Sequence, residues 1–123
     1  MSAIDVRNRD APAPPHYTKE DIAMSERMWN DIPEYMKAKL AADEELFKRA
    51  GKLDWTIVKP SGLTDDAATG KVALGQAPLG KIPREDVARG VVDLLADERS
   101  IGKALDLSSG DTPIDEAIKN AIS

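Results

Sequence analysis

Tyr35 and Lys39 stand four residues apart in a stretch of strongly helical composition. Positions i and i+4 share one face of a helix. An ammonium held beside a phenol favours the phenolate and lowers its pKa. A tyrosine tuned in this way can donate a proton to a carbonyl oxygen that is receiving hydride, or take one back. Taken alone, the pair is also what a half-buried tyrosine beside a solvated lysine looks like. Other chemistry-bearing residues are sparse. His16, the only histidine, lies between Pro15 and Tyr17 and reads as a surface loop residue. Asp65-Asp66 reads as a solvated turn, and with no histidine near it no metal site is expected. Asp43-Glu44-Glu45 reads as a solvated helix face, and Trp29 and Trp55 read as core. Ser2 and Ser61 have no histidine base in the sequence, so no activated serine nucleophile is visible.

The elements that must position Tyr35 and Lys39 follow from composition and punctuation. Pro12, Pro14 and Pro15 mark a loop. Asp21 to Asn30 suits a short helix with Ile22, Met24, Met28 and Trp29 as its apolar contacts. Asp31 offers an N-cap for a second helix, with Pro33 in its first turn and Glu34 three residues on. That helix runs to Ala50 with a patchy apolar stripe of Met36, Leu40, Leu46 and Phe47, and Gly51 is placed to end it in a left-handed turn. Leu53 to Val58 reads as a strand covered on both faces. Lys71 to Leu74 reads as a short strand between Gly70 and Gly75. Arg84 to Asp97 is a helix striped by Val87, Val91, Leu94 and Leu95. Leu105 to Leu107 is a strand, and Thr112-Pro113 caps and opens a last helix. Strands alternating with helices predict an α/β fold with a parallel sheet. The few strands predict a partial sheet with an open edge.

Composition narrows the partners. The chain has 123 residues, enough for one domain at most. A net charge of -5 with no basic run gives no reason to expect nucleic acid or an anionic membrane. No apolar stretch approaches the ~18–20 residues of a membrane span. Met1 to Asp10 carries Asp5, Arg7, Arg9 and Asp10 and no apolar signal core, so secretion is not expected. With no cysteine, disulfides and thiolate chemistry are excluded. A cytoplasmic setting is expected.

Several segments together resemble a known family. The Tyr35–Lys39 helix is followed by Ala42-Asp43. A strand then ends in Thr56-Ile57-Val58-Lys59-Pro60-Ser61-Gly62-Leu63-Thr64-Asp65. Further on stand Thr69-Gly70-Lys71-Val72 and Ile82-Pro83-Arg84-Glu85-Asp86-Val87-Ala88. The last piece runs from Gly102-Lys103 through Ser109-Gly110-Asp111-Thr112-Pro113-Ile114. The set resembles the atypical short-chain dehydrogenases, and most of all their NAD(P)H-binding, NmrA-like group. The likeness covers nearly the whole chain. It implies a Rossmann-like, doubly wound parallel sheet and an NAD(P) cofactor. Tyr35 would be the proton donor, and Lys39 would hold the ribose and tune Tyr35. Met1-Ser2-Ala3 resembles the end of the family's buried strand, which makes Ser2 the third catalytic residue, orienting the substrate oxygen. Pro60, Ser61, Gly62 and Leu63 would line the nicotinamide, with the Ser61 backbone N–H directed at its amide. Two departures stand out. Lys59-Pro60-Ser61 replaces Arg-Pro-Gly, and Pro83 replaces a serine whose hydroxyl would cap the next helix.

The resemblance places the glycine-rich phosphate loop and the ribose-selecting residue before Met1. Gly62, Gly70, Gly75 and Gly80 are dispersed and do not open a helix after a strand. Residues 1–123 therefore read as the C-terminal part of an NAD(P)-binding domain. Such a part is expected to bind dinucleotide weakly or not at all, together with an unknown small molecule. The rival expectation is a non-catalytic interaction protein that pairs through its open sheet edge, with itself or with a full-length relative. A third is a truncated product with no function of its own.

Overall fold

The computed structural model describes all residues, 1–123, as an α/β fold. Helix α1 (Lys19–Asp31) and helix α2 (Pro33–Lys48) come first. Strands β1 (Thr56–Pro60), β2 (Gly62–Thr64), β3 (Lys71–Gly75) and β4 (Lys81–Pro83) lead to α3 (Arg84–Leu95). Strands β5 (Lys103–Ser109) and β6 (Thr112–Pro113) precede α4 (Ile114–Ile122). The main sheet has the order β1-β5-β3-β6, and β2 and β4 form a separate parallel pair. β1 and β5 run parallel, with Val58 opposite Leu105. β3 runs antiparallel to both β5 and β6, so the sheet is mixed where the sequence suggests a parallel one. β5 and β6 run the same way on either side of β3, and Gly110 carries the chain across β3 between them.

The N-terminal segment extends the sheet. Ser2 N–H donates to the Val58 carbonyl (2.8 Å) and Ile4 N–H to the Pro60 carbonyl (3.0 Å). Donors two apart meeting acceptors two apart, both ascending, is the parallel pattern. The segment therefore lies along the margin of β1 that β5 leaves free.

Successive strand residues point to opposite faces. Val58, Leu105 and Leu107 join Val72, Ile82, Val87, Leu94 and the α4 stripe of Ile114, Ala117, Ile118 and Ile122 in the main core. Ile57 and Lys59 face the other way, toward Leu40 and Phe47 of α2. α3 and α4 thus cover one face and α2 the other. A smaller apolar cluster of Ile4, Ala77 and Leu79 is closed by Tyr17, Met24 and Met28.

Several helix ends differ from expectation. Asp31 closes α1, and α2 starts from Ile32, which makes no side-chain cap. The cap with a hydroxyl lies one helix earlier, where Thr18 and Asp21 form a reciprocal capping box. Gly51 lies in a short 3-10 turn (Ala50–Lys52) and not in a left-handed cap. Thr112-Pro113 pairs as β6 and leaves α4 with no hydroxyl cap, just as Pro83 leaves α3 without one.

Gly110 has no room for a side chain. A Cβ there would stand 2.6 Å from the Ala73 nitrogen and the Val72 carbonyl carbon, both backbone atoms. Gly110→Ala is expected to lower the unfolding free energy by about 1–3 kcal/mol, read as a drop in the urea midpoint. An unchanged midpoint would show that the β5–β6 turn relaxes freely.

Candidate active and cofactor site

Three separate stretches of chain converge at the carboxyl end of β1. The first is Met1–Ile4, held by its backbone bonds to β1. The second is the face of α2 that carries Tyr35, Lys39 and Asp43 at successive i, i+4 positions. The third is Pro60–Leu63, where β1 passes into β2. Together they enclose a cavity of about 300 Å³. Every residue that the family resemblance assigns to the site lines it: Ser2, Tyr35, Lys39, Pro60, Ser61, Gly62 and Leu63. Met28, Ile32 and Met36 complete the walls. The volume lies at the small end of ligand pockets, ~300–1,000 Å³.

Tyr35 is half exposed, at 49%. The Lys39 ammonium is 5.7 Å from the centroid of the Tyr35 ring, and it donates to the Met1 carbonyl at 3.3 Å. Ser2 is buried, and its hydroxyl donates to the Asp43 carboxylate at 2.6 Å. Asp43, read from sequence as part of a solvated helix face, is thereby a member of the site. The signal available for it is its place four residues after Lys39.

The Ser61 N–H, assigned from sequence to the nicotinamide amide, is already engaged: it donates to the Leu107 carbonyl at 2.9 Å. Pairing between β1 and β5 continues one residue beyond Pro60, and that consumes the donor. The Ser61 hydroxyl meets Ser108 at 3.0 Å, and Gly62 N–H donates to the Gly80 carbonyl. Ser61 and Gly62 therefore serve the cavity as wall.

A second polar cluster fixes the cavity's back. Asp5 is buried and left-handed (φ 65). Its carboxylate accepts from Arg7 Nε (2.7 Å), Tyr17 hydroxyl (2.8 Å), the Ser25 hydroxyl and Trp29 Nε1 (3.1 Å). This ties the proline loop and α1, and with them Met28, to the end of the N-terminal segment. Burial, then the bond to Asp5, pushes the Tyr17 phenol above its ordinary pKa. His16 differs from expectation. Its ring nitrogens are shut off from solvent with no hydrogen-bond partner, and Nε2 is 3.8 Å from Asp106 Oδ2. Asp65 stays in solvent as read, pairing with Arg84. Trp55 stacks edge-on against Phe47, 5.4 Å between centroids.

Such an arrangement defines a class: a Rossmann-like α/β sheet with a Tyr–Lys helix and a strand-end serine meeting over the carboxyl end of a parallel strand. It is the NAD(P)-binding, oxidoreductase- and epimerase-like class. The family model described as NAD(P)H-binding matches residues 1–98, and the chain belongs to that family. It is 44% identical over 119 residues to UPF0659 protein C216.03 of Schizosaccharomyces pombe, covering 96% of this chain and 48% of that protein. It is 40% identical over 93 residues to the uncharacterized sugar epimerase YhfK of Bacillus subtilis, covering 74% of this chain and 42% of that one. Among solved structures it is similar to the oxidoreductase ylbE from Lactococcus lactis, with a TM-score of 0.75 and 26% identity over 97% of this chain and 48% of the other. The chain spans about half the length of the relatives it matches. No helix is long and apolar enough to cross a membrane.

Asp106 offers a test of the electrostatics around the site. Burial pushes its carboxyl above the usual value, against the pull of Lys59, the Ala77 N–H and His16. The folded state then keeps this proton at pH values where the unfolded chain has lost it. Stability must fall as pH rises from the ordinary aspartate value through the raised one. Asp106→Asn keeps an oxygen for the Ala77 N–H and is expected to be more stable than the parent at neutral pH. The advantage should vanish below about pH 4. Urea midpoints of both proteins across that range check it, and a variant less stable at neutral pH would contradict it.

Proposed function

We propose that these residues form the substrate-side portion of an NAD(P)-dependent oxidoreductase-like domain. The observation that carries the reading is the convergence of all seven sequence-assigned residues, from three stretches of chain, on one cavity. Bound there, a nicotinamide cofactor supplies hydride chemistry. The chain's own residues do the rest. Tyr35 moves a proton to or from the substrate oxygen. Lys39 holds the ribose hydroxyls from its place beside the Tyr35 ring. Ser2 orients the substrate oxygen, and Pro60–Leu63 with Met28 and Met36 exclude water from the ring. The mainly apolar lining, with Pro60, Leu63, Met28 and Met36, suits a nicotinamide ring, and the Lys39 ammonium beside it suits the ribose hydroxyls. For the pyrophosphate the sequence offers no glycine-rich turn opening a helix.

The expected outcome is weak binding. NADH or NADPH should quench the tryptophan fluorescence with saturation only in the roughly millimolar range. Lys39→Ala should weaken it about tenfold or more, through loss of a charge-assisted contact. Tyr35→Phe should bind as the parent does. No quenching by either nucleotide up to millimolar concentration would sink the assignment.

A second reading, self-association, has an observation of its own. Val92 and Leu95 on α3 are 64% and 76% exposed. Val92 borders an apolar depression of about 430 Å³ shared with Met1, Leu63, Val87 and Val91. Exposed apolar surface of this kind marks contact sites. Sedimentation should then show a concentration-dependent dimer that Val92→Lys disrupts. A monomer at all concentrations would remove this reading and leave the first untouched.

A further inference from the structure

The Ser2–Asp43 hydrogen bond decides which oxygen chemistry the cavity accepts. A serine hydroxyl carries one proton and two lone pairs, and a carboxylate only accepts. Ser2 spends its proton on Asp43 Oδ2 at 2.6 Å. Its position is set independently, because its backbone N–H is fixed on Val58 and its side chain is buried. What Ser2 retains for the cavity is acceptor capacity alone. A ligand must therefore bring a donor to it. A hydroxyl does so, whereas a carbonyl oxygen would set lone pair against lone pair.

Asp43 also borders a second opening. It lines a neighbouring cleft of about 310 Å³ together with Glu44, Arg7 and Lys59. Lys39, one turn earlier on α2, spends one of its three donors on the Met1 carbonyl. The carboxylate thus stands between two openings, with Ser2 in one and Glu44, Arg7 and Lys59 in the other.

We propose that Asp43 is a positioning residue that holds Ser2 as a hydrogen-bond acceptor, so that the site selects an alcohol over the matching ketone. The inference takes its substrate meaning from the cavity's proposed role, but the polarity of Ser2 is readable without any cofactor. Only the ligand's oxygen is specified: a secondary alcohol or sugar-type hydroxyl presented to Ser2, within a mainly apolar wall.

Cyclohexanol and cyclohexanone share a shape and differ in this one property. Their dissociation constants can be read from amide shifts of Ser2, Tyr35 and Gly62 in the 123-residue chain. The expected result is alcohol bound about five- to tenfold tighter than ketone, the worth of one net hydrogen bond. Ser2→Ala should level the two. Asp43→Leu removes the acceptor, frees the Ser2 proton for the cavity, and should shift the ratio toward the ketone. A merely structural Asp43 would weaken both probes alike. Equal affinities in the parent, a preference for ketone, or no binding of either up to its solubility overturns the proposal. So does an alcohol preference that survives in a folded Asp43→Leu. Should that variant fail to fold, the parent ratio and Ser2→Ala decide. If NADH and NADPH fail to bind while the preference holds, the cofactor assignment falls and the Ser2–Asp43 device stands. If the nucleotides bind and the alcohol preference is absent, the device falls and the cofactor assignment stands.

Discussion

The parallel backbone pairing of Ser2 and Ile4 with Val58 and Pro60 is the constraint on which the rest of the molecule depends. Residue 2 is remote in sequence from residues 35–43 and 60–63, and only this pairing brings the three together. It sets the Ser2 hydroxyl against Asp43 and brings the Met1 carbonyl within reach of Lys39. It also gives the cavity a wall. Two backbone bonds carry a net ~0.5–1.5 kcal/mol each, which is too little to hold this segment by themselves. Further anchoring is required, and the structure supplies it immediately downstream.

That anchor is Asp5. Burying a carboxylate costs several kcal/mol unless its lone pairs are filled. Here four side chains, from Arg7, the proline loop and α1, fill them. The left-handed backbone at Asp5 costs a further ~1–2 kcal/mol, a conformation aspartate tolerates better than most residues. The kink turns the chain out of the sheet directly after Ile4, so that the loop returns over Lys59 and Asp106. Lys59 donates to the Val6 carbonyl from below. The anchoring is thus polar on both sides, and the small apolar cluster around Ile4 could not do it alone.

The polar anchor also explains what the sequence can and cannot tell. Apolar periodicity makes α3 and α4 legible, since Val87, Leu94, Ile114 and Ile118 point into an ordinary core. It fails for α1. Hydropathy puts Ile22 on the buried face, yet Ile22 is 41% exposed while Asp21 and Ser25 are buried. A helix that packs on a carboxylate network carries a polar inner face, and no hydropathy pattern reports that. The Tyr35–Lys39 spacing and the Pro60–Leu63 strand end are legible because each is local. Asp43 and Asp5 are not, because their partners are 41 residues and up to 24 residues away. The direction of β3 is hidden for the same reason: it is defined by pairing with β5, more than thirty residues downstream, and the chain then passes so close to β3 that Gly110 has no room for a side chain.

The position of the cavity follows from the sheet. In open α/β sheets, ligands lie beyond the carboxyl ends of parallel strands, where helices and returning loops diverge. β1 and β5 provide that end, and Ser61 and Gly62 seal its floor by spending their N–H groups on Leu107 and Gly80. A sealed floor leaves Ser2 and the α2 side chains to supply the cavity's polar chemistry. Along it the side chains change character with each turn: phenol at Tyr35, ammonium at Lys39, carboxylate at Asp43. In a chain of net charge -5, that ammonium gives the cavity a local charge opposite to the global one. The members of the series differ in what they leave open. Lys39 is partly spent on Met1 and Asp43 on Ser2, while half-exposed Tyr35 keeps its phenol free of either. Of this row only Tyr35 lines the cavity with its polar group uncommitted, while Lys39 and Asp43 hold the Met1 carbonyl and the Ser2 hydroxyl.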